Sequence, residues 1–327
     1  MDKAILGWQA LADMPKNPRF PPKAAAVEIV AFPGVQLLDV AGPLQVFATA
    51  NDYAERAGRP RPYAMRVVSQ NSEVTASAGL PLKVSPLSNP KSGIDTLLIA
   101  GGPGVQQASN DPKLVRWVKA RAARARRVTS VCTGAFLLGA TGMLDGRRVA
   151  THWTECAQLA RRFPKIRVEP DPIFVREGDV WTSAGVTAGI DLALALVEED
   201  LGRALALSVA RHLVVFLKRP GGQAQFSAAL AMQQADEKFG ALHEWMARHV
   251  DRDLSLPALA QQAGMSERNF SRRYLEATGT TPARAVEKLR VEAARLMLSD
   301  GKLPVKRIAE RCGFGSEETM RRSFLRN

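Results

Sequence analysis

Through the first two thirds of the chain, short apolar runs alternate with helix-like stretches. Ala24–Phe32 (AAAVEIVAF) and Thr96–Ala100 (TLLIA) read as buried strands, since unbroken aliphatic runs of this length suit a sheet covered on both faces. Tyr63–Ser69 (YAMRVVS), Val128–Val131, Ile166–Glu169 and Ile173–Trp181 read as further strands, the last pausing at Glu177-Gly178. Val74–Val84 (VTASAGLPLKV) predicts a hairpin around Gly79 and Pro81. Between the strands, one helix is expected to begin near Pro43, because proline suits the first helical position. A second helix is capped by Asp111, with Pro112 behind it, and runs to about Arg127. Its Arg and Lys residues are expected to face solvent around a thin apolar stripe at Leu114, Val115 and Val118. Further helices follow Thr151-His152-Trp153, contain Asp191, and cover Ala204–Phe216. Strands alternating with helices predict an α/β domain with a mostly parallel sheet and flanking helices.

Both ends of this pattern are punctuated. Residues 1–23 hold Pro15, Pro18, Pro21 and Pro22 and little periodicity, as in a flexible extension. Lys218–Gly222 (KRPGG) and the polar stretch behind it read as a linker over 218–236. The domain boundaries are then 24–217 for the α/β part and 237–327 for an all-helical part.

The helical part repeats itself. Ala260-x3-Gly264 is echoed by Ala309-x3-Gly313, and each is followed by an apolar residue (Met265, Phe314), a serine (Ser266, Ser316) and an Arg-Arg pair (Arg272-Arg273, Arg321-Arg322). This is helix-turn-helix spacing used twice. The alanine permits close helix contact, the glycine makes the turn, and the serine can cap a helix that enters the major groove of DNA. Candidates for reading bases are Glu267, Arg268, Asn269, Arg272 and Arg273 in the first unit, and Glu317, Glu318, Arg321 and Arg322 in the second.

One stretch of the α/β part carries candidate chemistry. After the apolar run Val128–Val131, Cys132-Thr133-Gly134 turns sharply into a helix-forming segment. A thiol at a strand–turn–helix bend suits a nucleophile elbow or a ligand site, while a small buried cysteine suits ordinary core packing. Gly101, Gly102 and Gly104 follow a strand and permit close approach to whatever lies above the strand ends, or serve only the turn. Asp39 reads as a loop carboxylate near a helix start, and His152 as a base, a ligand contact or a packed side chain.

Composition narrows the class. Cys132, Cys156 and Cys312 lie far apart with no CxxC pair, which argues against disulfide or zinc frameworks and for a reducing, cytoplasmic setting. No metal and no cofactor is expected. No apolar run approaches a membrane span. The net charge of +13 favours a polyanionic partner. It is not concentrated in the helical part: residues 237–327 carry 17 Lys+Arg against 12 Asp+Glu, and the rest of the chain 28 against 20.

The helical part resembles the AraC-family DNA-binding domain, in which a long helix, here Thr281-Pro282 through Leu298, joins two such units. It departs from that family in ending at Asn327, where a Pro-x-x-Tyr-Arg segment usually follows. Residues 24–216 resemble the PfpI-type, class I glutamine-amidotransferase-like superfamily through FPGVQLLDVAGPLQVF, LLIAGGPG, SVCTGAFLLG, ATHW and TSAGVTAGIDLAL. The combination is similar to GlxA-type regulators. That resemblance implies a transcription regulator, expected to be an activator, which binds a duplex DNA operator, dimerises through the α/β domain and answers a small nitrogen-containing effector. The ligand residues it implies are Asp39, Gly102, Cys132, Thr133, His152 and Asp191, with no catalytic residue. Protease-like members of the superfamily place histidine directly after the cysteine, where this chain has Thr133. Cys-Thr-Gly with an upstream Leu-Asp instead resembles isocyanide hydratase. The alternative is therefore an enzyme using Cys132, Asp39 and Thr133 and carrying a DNA-binding domain.

Overall fold

A computed structural model describes residues 23–217, 222–223, 237–300 and 303–326. The proposed extension and linker fall almost wholly outside these residues. The chain divides into two compact units, residues 1–219 and 220–327.

The first unit runs β1 (Ala25–Val30), α1 (Leu37–Arg56), β2 (Tyr63–Ser69), β3 (Glu73–Thr75), β4 (Pro81–Lys83), β5 (Ser85–Pro86), β6 (Ile94–Ile99), α2 (Val105–Asn110), α3 (Pro112–Ala122) and β7 (Ala125–Val131). It continues with α4 (Gly134–Ala140), β8 (Arg148–Val149), α5 (Cys156–Arg162), β9 (Arg167–Val168), β10 (Phe174–Glu177), β11 (Val180–Ser183), α6 (Ala188–Leu201) and α7 (Arg203–His212). Seven strands form one sheet in the order β10-β11-β7-β6-β1-β2-β5, parallel except for the edge pair β10–β11. The central strands are apolar on both faces because helices cover both: Val27, Ile29, Val30, Leu97, Leu98 and Ile99 are fully buried. Helices α1, α6 and α7 pack together, as do α2, α3 and α4. The hairpin expected at Gly79 and Pro81 is the pair β3–β4.

Three helix expectations are corrected. Helix α1 begins at Leu37 rather than near Pro43, which puts Asp39 in the first turn and Pro43 inside the helix. An interior proline costs about 3 kcal/mol. Burial of Val40, Pro43, Val46, Phe47 and Ala50 in the same helix offsets that loss. Helix α3 ends at Ala122, and the chain is extended from Ala125. The basic run is not all solvent-facing. Arg121 lies fully buried against Glu28, with Nε–Oε2 2.7 Å and Nη2–Oε1 3.0 Å, and the buried Arg127 holds Asp200 and donates to Thr96 at 2.7 Å. The last helix of the unit also ends early, at His212 rather than Phe216.

The second unit comprises α8 (Glu237–Arg248), α9 (Leu256–Gln262), α10 (Glu267–Thr278), α11 (Pro282–Asp300), α12 (Val305–Arg311) and α13 (Glu317–Arg326). Helices α9–α10 and α12–α13 are the two helix-turn-helix units, and α11 joins them. Each has its own core: Leu259, Ala260, Phe270 and Tyr274 with Phe239 and Met246, and Ile308, Ala309, Phe314 and Met320 with Val291 and Ala294. Both turn glycines take positive φ, 64° at Gly264 and 72° at Gly313, as a tight left-handed turn requires. Arg290 on α11 donates to Val250 O at 3.0 Å and Arg252 O at 2.9 Å, tying the joining helix to the loop after α8. Among the described residues no helix is long and apolar enough to cross a membrane.

Candidate functional site

Three strand ends and a helix start converge on Cys132. The cysteine follows β7 and takes φ 57°, a left-handed conformation that costs an ordinary residue about 1–3 kcal/mol unless its surroundings enforce it. Here they do. The Cys132 N–H is shared between Ser183 O (3.2 Å) and Ala184 O (3.1 Å), and its carbonyl accepts from Thr151 Oγ1 at 2.9 Å. At Gly134 a Cβ would collide with the Ile99 carbonyl, so only glycine lets α4 start this close to β6.

Asp39 enters from α1. Its Oδ2 accepts the Gly101 N–H at 3.0 Å, and the Cys132 thiol and Val186 N–H also favour its carboxylate. Burial dominates and pushes the Asp39 pKa up to about 7. Burial, followed by the Asp39 charge, pushes the Cys132 thiol up to about 12, although the N–H groups of Thr133 and Val186 favour its anion. The resting group is thus a thiol beside a carboxyl that titrates near neutrality. Thr133 Oγ1 accepts the Gly102 N–H at 2.8 Å and donates to Gly102 O at 3.3 Å. The glycine-loop donors are therefore engaged by Asp39 and Thr133, and the donors directed at the sulfur come from Thr133 and Val186. A Cβ on Gly101 would lie 2.6 Å from Thr133 N and 2.9 Å from Asp39 Oδ2, so the loop has to be glycine to close over this cluster.

The remaining sequence candidates, His152 and Asp191, make none of these bonds. His152 is half-buried, accepts from Thr154 N–H at 3.4 Å, and packs its ring over Gly185, where a Cβ would clash. Burial pushes its pKa down, and none of its hydrogen bonds reaches Cys132 or Asp39. Asp191 is buried in the first turn of α6 and takes no part in the bonds joining Asp39, Gly101, Gly102 and Thr133. Sequence reasoning missed Val186, a β-branched residue at φ 53° that follows β11; nothing in its local pattern marks it.

On the second unit, Glu267, Arg268, Arg272, Arg273, Glu317, Glu318, Arg321 and Arg322 are exposed and Asn269 is half-buried. Ser316 Oγ accepts the Thr319 N–H at 3.1 Å and caps α13. Ser266 occupies the matching position on α10 but makes no side-chain cap, contrary to expectation, because only its backbone takes the cap conformation. Glu318 holds Arg321 in a two-point contact, both bonds 2.9 Å, with Arg322 at 3.6 Å. Between the two helix-turn-helix units runs a cleft of about 790 Å³, lined in part by Ser271, Arg284, Arg290, Thr319 and Arg326. Ser271 and Thr319 lie on the two recognition helices, yet their modest polarity gave no sequence signal.

Residues 25–199 match the DJ-1/PfpI family, and residues 259–327 match a helix-turn-helix domain. The chain is 35% identical over 252 residues to the HTH-type transcriptional regulator Rv1931c of Mycobacterium tuberculosis, covering 71% of this chain and 91% of that protein. It is 29% identical over 280 residues to the HTH-type transcriptional regulator GlxA of Rhizobium meliloti, covering 83% of each. An isonitrile hydratase of Pseudomonas putida is 36% identical over 181 residues, which cover 73% of that protein but only 55% of this chain. The likeness to regulators thus extends through both units. The chain belongs to the DJ-1/PfpI family, as a transcription regulator in which that domain is joined to an AraC-type helix-turn-helix domain.

Proposed function

We propose that this regulator is an activator controlled by a small, nitrogen-containing metabolite bound in the DJ-1/PfpI unit. The effector sits at the ends of the central strands, against Asp39, Gly102, Cys132, Thr133 and His152, with Asp191 behind them. The protein works as a cytoplasmic homodimer held through that unit, and both helix-turn-helix units engage one operator. The observation that carries the sensing role is the pairing of Asp39 with Cys132. A nucleophilic cysteine needs its thiolate, whereas here burial and the neighbouring carboxylate favour the thiol. Such a buried polar cluster is better suited to orienting a ligand than to attacking one. The kinship with GlxA and Rv1931c supports the regulatory reading.

The test is a thermal-shift screen of the full chain against amino acids, betaines and polyamines, because a ligand that binds only the folded state raises its melting temperature. The expected result is a hit whose shift is lost in Asp39→Ala. Hydration of a small isocyanide by the unaltered chain, abolished in Cys132→Ala, would favour the enzymatic reading instead.

A further inference from the structure

We propose that the outer face of α3 is a second polyanion-binding surface, which engages the phosphates of duplex DNA beside the stretch held by the helix-turn-helix units. The inference rests on DNA binding by those units and not on the effector reading.

Residues 111–127 carry seven basic side chains against one acid, Asp111. The fold neutralises three of the seven. Arg121 is paired with Glu28, Arg126 with Asp95 and Asp200, and Arg127 with Asp200 and Glu199. Lys113, Arg116, Lys119 and Arg124 remain, all exposed, and none makes an ion pair with a described residue. Lys113, Arg116 and Lys119 recur every third residue on the side of α3 away from the buried Leu114, Val118 and Ala122, with Arg124 just past the helix end. Arg162 extends the surface from α5, where it donates to the side-chain amides of Gln106 and Asn110, both at 2.6 Å, next to the start of α3.

Like charges three residues apart repel along a helix, so this face is destabilising unless an anion covers it. Lys113 and Lys119 lie about 9 Å apart along the axis, which spans two to three phosphates of one DNA strand at about 3.4 Å each. Residues 1–236 hold 28 Lys+Arg against 20 Asp+Glu and residues 237–327 hold 17 against 12, so a basic excess of +8 lies outside the helix-turn-helix part beside the +5 within it. Once the second unit holds an operator, the first is tethered near the flanking phosphates at high effective concentration.

The experiment measures binding of the full chain to a mixed-sequence duplex of about 60 base pairs, from about 50 to about 200 mM salt, where each phosphate contact contributes about 0.9 to the log–log slope. Lys113→Gln/Arg116→Gln/Lys119→Gln/Arg124→Gln is expected to flatten that slope by about 2 to 4 while the melting temperature is kept. If the quadruple variant folds poorly, the pairs Lys113→Gln/Arg116→Gln and Lys119→Gln/Arg124→Gln should each remove about 1 to 2. A slope equal to that of the unaltered chain in folded variants overturns the proposal. So does an unchanged DNA slope accompanied by lost binding to phosphatidylglycerol vesicles, which would assign the face to a membrane surface.

Discussion

Asp39 and Cys132 meet although one opens a helix and the other ends a strand: the Asp39 carboxylate accepts the Gly101 N–H at 3.0 Å and faces the Cys132 thiol, which favours the carboxylate while the carboxylate charge raises the cost of ionising the thiol. Each group has a consequence that can be measured.

For Asp39, the folded pKa of about 7 stands above the ordinary value of 3.8. In that window the folded chain keeps a proton that the unfolded chain has released. Stability from this group is therefore full below about pH 4 and falls as pH rises toward 7, by up to about 4 kcal/mol. Asp39→Asn should flatten the dependence and raise stability at pH 8 relative to the unaltered chain. Urea melts from pH 4 to 8 check this; identical pH slopes for the two proteins would count against it.

For Cys132, a pKa of about 12 leaves on the order of one part in ten thousand as thiolate at pH 8. Alkylation by iodoacetamide, followed by peptide mass spectrometry, should label Cys132 at least about 100-fold more slowly than the unfolded chain. Labelling at the unfolded rate would mean a reactive thiol and a different site.

Gly101 separates geometry from charge. Gly101→Ala would bring a methyl group against Thr133 N, Thr133 Oγ1 and Asp39 Oδ2. Crowding of this kind costs about 1–3 kcal/mol and should abolish effector binding while DNA affinity stays within a few-fold. Calorimetry and a gel-shift titration on one preparation test the pair of outcomes, and retained effector binding would place the ligand elsewhere.

On the DNA side, Glu318 must release Arg321 before that guanidinium can take a guanine. Arg272→Ala and Arg321→Ala should each cost about 1–3 kcal/mol on operator DNA and relax one base position. A footprint should show two protected patches per subunit, roughly 10 base pairs apart. A uniform loss across sequences would mark the arginine as a phosphate contact.

What was legible in the sequence was local. The unbroken apolar strands, the cap of Asp111 over Lys113 and Leu114, and the repeat of Ala260-Gly264 by Ala309-Gly313 all follow from neighbours a few residues apart. What was hidden depended on distant partners. Arg121 and Arg127 look solvated until Glu28 and Asp200 arrive from other elements to neutralise them. Pro43 looks like a helix start because the packing that tolerates it in mid-helix is tertiary; Gly189 of α6 leaves room where a Cβ would sit 3.3 Å from the proline ring. At the site, Cys132, Asp39, Thr133 and Gly102 were legible as a motif, but Val186 reaches the sulfur only through a backbone N–H, which any residue type supplies.

The central claim is that the Asp39–Cys132 cluster senses a ligand and does not react with it. Its most direct test is a reporter titration with a compound from the thermal-shift screen, comparing the unaltered chain with Cys132→Ser, Asp39→Ala and His152→Ala, beside DNA binding without ligand. The predicted result is that Cys132→Ser keeps its response within a few-fold, while Asp39→Ala and His152→Ala weaken it more. Complete loss of response in Cys132→Ser, with fold and DNA binding preserved, would contradict the account and assign the sulfur a covalent or redox role.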